Sequence, residues 1–174
     1  MGESLSLTLP EYGQERIDAL IAEMGQYAVN IPTDPATIGG YAGINNLFSV
    51  IQGYQNRVQE IVAHAINWNA VAKAVYEARK MAYQAKRVAM LSDKRQGEYE
   101  SFKVLEAEVD HALADDIKEM QRAKLIAGLF GAFLEQVQGK QKNLADIKET
   151  LNQINNNWKR QNPLPPAVFQ GKVV

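Results

Sequence analysis

The sequence predicts an all-α protein built from long helices that assemble into a homo-oligomer. Three observations carry that expectation. Apolar residues recur at steps of three and four over most of the chain, no proline falls between Pro35 and Pro163, and KLIAGLFGAFLEQV is apolar on nearly every side of a helix. The expected organisation is an N-terminal arm, short helix and Pro/Gly loop over 1–45, a long-helix core over 46–159, and a proline-rich extended tail over 160–174.

The elements follow in order. Residues 4–9, SLSLTL, alternate polar and apolar, as an edge strand or an extended arm would. Pro10 opens a short helix with Ile17, Leu20, Ile21 and Met24 on one face, and Gly25 closes it. NIPTDPATIGGYAGINN carries two prolines and three glycines, the chemistry of a loop with at most one helical turn. From Asn46 a long helix begins, with Leu47, Ile51, Tyr54, Val58, Ile61, Ala65, Trp68, Ala72 and Val75 spaced as in a coiled coil. After a skip the stripe resumes as Ala78, Ala82, Ala85 and Ala89, small residues that permit close helix approach.

SDKRQGE around Gly97 interrupts this helix. A second helix puts Val104, Leu105, Val109, Leu113, Ile117 and Met120 toward a core and continues into KLIAGLFGAFLEQV. That segment is apolar around most of its circumference, so Leu125, Ile126, Leu129, Phe130, Phe133 and Leu134 are expected at a subunit interface. Gly139 is expected to turn the chain into a third helix carrying Leu144, Ile147, Leu151, Ile154 and Trp158. The tail NPLPPAVFQGKVV cannot be helical, because its prolines remove donors and fix φ.

Composition narrows the function. The chain of 174 residues is 46% hydrophobic, enough for a core, and its net charge is -1. Without cysteine it has no disulfide, thiol nucleophile or thiolate metal site. The N-terminus lacks a signal-peptide pattern, and the most apolar window, 125–134, is half the length of a membrane span, so a cytoplasmic protein with no membrane contact is expected. Glu108 and His111 have ExxH spacing, but a di-iron bundle needs a second such pair and His64 has only Glu60, four residues earlier. Asp115 and Asp116 are adjacent and diverge on a helix. No phosphate loop, dinucleotide fingerprint or nucleophile elbow occurs. The sequence argues against an enzyme and implies neither cofactor nor metal.

Charge is distributed more informatively. Between Lys73 and Arg95 stand Lys73, Arg79, Lys80, Lys86, Arg87, Lys94 and Arg95 against Glu77 and Asp93; between Glu98 and Glu119 the sign reverses. Two arrangements explain this. The arms fold back and pair their charges, or Arg79, Lys80, Tyr83, Lys86, Arg87, Lys94 and Arg95 form a stripe that tracks phosphates, with tyrosine faces for stacking bases.

The helix EARKMAYQAKR, from Glu77 to Arg87, resembles the signature helix of the bacteriophage UvsY-type recombination mediators. The stretch after it is also similar, with Lys103, Glu108, Ala112-Leu113 and Asp116 followed by an apolar helix and a Lys-bearing one, so the likeness covers roughly residues 50–150. The resemblance implies a small helical protein forming a ring, binding single-stranded DNA, displacing a single-strand-binding protein and helping to load a recombinase. It assigns DNA contact to Arg79, Lys80, Lys86 and Arg87. The alternative is a helical structural or assembly protein of a phage particle that acts through protein–protein contacts without DNA.

Overall fold

The computed structural model describes residues 14–32, 35–94 and 102–163, the side chains of Gln14, Pro35, Ala36 and Lys94 excepted. Every regular element among them is helical: α1 (Gln14–Gly25), a 3-10 turn (Pro35–Ile38), α2 (Gly40–Lys94), α3 (Phe102–Ala112) and α4 (Ala114–Gln161). The expected N-terminal strand or arm, the Gly97 interruption and the proline-rich tail lie outside the described residues.

Two expected boundaries are corrected. The first long helix begins at Gly40 rather than Asn46. Its start is made by glycines: Gly39 and Gly40 adopt φ of 82° and 66°, a left-handed geometry other residues reach at a cost. Gly43 then lets α2 pass the 3-10 turn, since a Cβ there would sit 1.6 Å from the carbonyl oxygen of Ile38. Gly139, expected to be a turn, lies inside α4, which continues to Gln161. A further division falls at Leu113, between α3 and α4. Its N–H still donates to Val109 and its carbonyl accepts from Ile117 (3.0 and 2.9 Å), so helical hydrogen bonding carries through.

The chain divides into two compact units, and α1, α2 and α4 each contribute residues to both. The first holds described residues 14–21 and 60–138. Its core gathers Ile61, Ala65, Trp68, Ala72 and Val75 of α2 with Ala123, Ala127, Phe130, Phe133 and Val137 of α4, and Ile17 of α1 is buried in the same unit. Trp68 organises it, its ring 6.0 Å from Phe130 and 6.1 Å from Phe133, with the Arg16 guanidinium 5.8 Å above it. Phe130 and Phe133 are therefore covered inside one chain, where the sequence reading put them at a subunit contact. Ile126, Leu129 and Leu134 are half-buried and Leu125 is 76% exposed. Exposed Lys124, Gly128 and Ala132 give this segment a solvent side.

The second unit holds described residues 22–59 and 139–163. Ile44, Ile51 and Leu151 form its centre, with Val29, Ile31, Ile38, Leu47, Phe48, Ile147 and Trp158 packed around them. A polar clasp ties the end of α1 to α2: Arg57 holds Glu23 at 2.7 Å, the Tyr27 hydroxyl also donates to Glu23, and Tyr27 stacks on Tyr54 at 4.8 Å. Those bonds keep the Glu23 carboxyl below its ordinary range, the Arg57 bond contributing most. Lys148 donates to Gln52 at 2.9 Å on the outside of the same unit.

Candidate functional site

The charged arms meet in the first unit, where the C-terminal half of α2 lies against α3 and the first turns of α4. The 3–4 stripe that buries α2 as far as Val75 does not continue through the alanines. Ala78, Ala82, Ala85 and Ala89 are exposed, while Arg79, Tyr83, Arg87, Met90 and Leu91 are half-buried on the opposite side. The skip after Val75 thus changes which face looks inward. Tyr83, Met90 and Leu91 receive Leu105, Val109 and Leu113 in a small apolar cluster.

Carboxylates surround that cluster. Arg87 donates through Nη2 to Glu106 (3.0 Å) and through Nε to Asp110 (2.9 Å), spanning one turn of α3 with a single guanidinium. The Tyr83 hydroxyl donates to the same Asp110 oxygen at 3.2 Å. Lys86 pairs with Asp116 at 2.5 Å and Arg79 with Glu119 at 2.8 Å. Lys80 pairs along its own helix with Glu77 at 3.4 Å and lies 5.8 Å from the Tyr76 ring. The Arg87 bond holds Asp110 below the usual carboxylate range, and the two carboxylates raise Arg87 further above its own. Burial, reinforced by Asp110, pushes the Tyr83 phenol up.

Of the residues expected to contact DNA, the structure brings Arg79, Lys80, Tyr83, Lys86 and Arg87 together, each with an intramolecular acidic partner. The Lys94 side chain and Arg95 lie outside the described residues. The acids themselves were visible in the sequence as a sign reversal; the pairing partners could not be read until the inward face of α2 was known.

The far side of this half of α2 differs. Ala74, Ala78, Met81, Ala82, Ala85, Val88, Ala89 and Ser92 are all exposed, Met81 by 61% and Val88 by 67%, and none is charged. A groove of about 570 Å³ lies between α2 and α4 in the same unit, lined by Ala127, Gly128, Gly131, Ala132 and Tyr76 together with Lys73, Lys124, Glu77 and Glu135. Glu108 and His111 are exposed on α3, and no group of three metal-ligating side chains occurs among the described residues.

These features define an all-helical protein in which Arg79, Lys80, Lys86 and Arg87 of α2 each meet a carboxylate of the same chain and the uncharged face of that helix points outward. No helix among the described residues is long and apolar enough to cross a membrane. No family model matches the chain, and neither a characterised protein nor a solved structure shows significant similarity to it.

Proposed function

We propose that the protein is a helical assembly protein acting through protein–protein contacts, with a second copy of itself as the first partner. One observation carries this reading: the uncharged, exposed stripe of α2 from Ala74 to Ser92, with Met81 and Val88 among alanines at helical spacing. A side-chain pattern of this kind suits a like helix, because alanines allow backbones to approach while Met and Val supply the area to bury. Closed symmetric homo-oligomers are the common outcome of such self-contacts.

The recombination-mediator reading asks Arg79, Lys80, Lys86 and Arg87 to track phosphates. Arg79, Lys86 and Arg87 each hold a carboxylate of α3 or α4, so DNA would have to displace an existing partner at each position. Protein contact requires no such exchange. Light scattering tests the proposal: an oligomer at micromolar concentration is expected, and Met81→Glu with Val88→Glu should dissociate it while leaving the helices intact. A mass at the 19.4 kDa monomer value for the wild type refutes it. Salt-sensitive binding of labelled oligo-dT, without oligomerisation, would favour the DNA reading instead.

A further inference from the structure

We propose that α3 is a strap, closed by Arg87, that covers a second apolar face of α2 and opens independently of the rest of the molecule. Between Arg79 and Ser92, α2 has apolar side chains on two opposite sides. One side is exposed, as described above. The other, Tyr83, Met90 and Leu91, is covered by Leu105, Val109 and Leu113.

The cover is slight. α3 is 11 residues long and its last turn runs on into α4 through the Leu113 bonds, so it is the N-terminal turns, from Phe102 on, whose helicity depends on docking against α2. Its outer side is largely exposed, with Phe102 at 48% and Val104 at 51%. Beside the apolar cluster, polar bonds to α2 meet on neighbouring residues: Arg87 to Glu106 and Asp110, and Tyr83 to Asp110. One guanidinium therefore bridges two successive turns of the strap. Those bonds are partly solvated and weaken with salt, whereas the Trp68–Phe130–Phe133 core does not.

Opening uncovers Tyr83, Met90 and Leu91 on the helix whose other side is the proposed assembly surface. The strap would then regulate how much of α2 is available to a second copy. That consequence rests on the assembly reading; the strap itself does not.

Hydrogen exchange on the full-length chain, read by peptide, tests the inference. In Arg87→Gln, exchange over 102–112 should accelerate by about tenfold while 139–161 in α4 stays protected. High salt should move the wild type in the same direction, and Arg87→Lys should fall between. Lys118→Gln, which removes an exposed pair within α4, should change nothing in α3. Unchanged exchange of α3 in Arg87→Gln overturns the clip, and equal loss of protection through α4 overturns its independence. Light scattering on the same samples separates the two proposals. An opened strap with unaltered oligomer mass overturns the regulatory link alone, whereas a monomer in every sample overturns the assembly reading and leaves the strap standing.

Discussion

Trp68→Ala tests whether the first unit's core is closed within a single chain. Trp68 is 4% exposed and sits between Phe130 and Phe133, each almost fully buried. Truncating a buried tryptophan removes its transfer free energy and leaves a cavity, a loss of about 3–5 kcal/mol. Collapse is restricted here, because the two phenyl rings are supported from their own helix and the other groups set against the indole, His64 and Arg16, are polar side chains that do not fill an apolar space. The upper half of that range is therefore expected. For a chain of this length each kcal/mol lowers Tm by about 2–4 °C, so the melting temperature by circular dichroism should fall by roughly 8–20 °C. Trp158 remains as the one other tryptophan, and its emission at 25 °C checks that the second unit is still folded. A loss below about 1 kcal/mol would place Trp68 in a setting no more demanding than a surface site, and would refute the packing described for Phe130 and Phe133.

Three more predictions probe the glycines and the acids. Gly43→Ala should destabilise by about 1–3 kcal/mol despite alanine's helix propensity, because its Cβ would collide with the Ile38 carbonyl, whereas Gly53→Ala, with open space around it, should stabilise by about 0.5–1 kcal/mol. Denaturant midpoints decide the signs. Gly139→Ala should likewise raise stability by up to about 1 kcal/mol, since the residue is mid-helix with nothing near its Cβ; a fall would mean that the chain turns there after all. In acid, Asp110 and Glu23 have folded pKa values below their ordinary 3.8 and 4.5, so their contribution is complete above those values and is lost as pH falls through the lower folded ones. Stability measured from pH 7 downward should hold until about pH 4.5 and then decline, and Asp110→Asn should flatten the decline.

Much of the fold was legible because one signal dominated it. Leu47, Ile51, Tyr54, Val58, Ile61, Ala65, Trp68, Ala72 and Val75 are all buried or half-buried, as their spacing predicts. The same signal, read further, also crosses the places that were misjudged. Phe130, Val137, Leu144, Leu151 and Trp158 recur at sevens straight through Gly139, and Ile44 stands one heptad before Ile51. A mid-helix glycine costs only about 1 kcal/mol, less than burial of a single leucine or valine returns, so the register outweighed the breaker at both points. At GGYAG a second reason adds to the register. Gly39 and Gly40 do form a turn, but it is the turn that starts α2, and nothing in the residue types distinguishes a helix entry from a longer loop.

The candidate site was less legible because two faces of α2 competed for the inside. Periodicity favoured Ala78, Ala82, Ala85 and Ala89, which continue the apolar spacing of the core residues before them. Alanine, however, has little area to bury, and Tyr83, Met90 and Leu91 on the other face have much more. Placing that face inward costs the solvation of Arg79 and Arg87 unless acids meet them, and the reversed charge of α3 and α4 supplies Glu106, Asp110 and Glu119 at hydrogen-bond distance. The sign reversal along the chain and the inward turn of the tyrosine face are thus one solution: acidic helices let a basic helix bury its larger apolar side. The alanine face left outside is then the surplus, an uncharged surface that the single chain does not need and that a second helix could use.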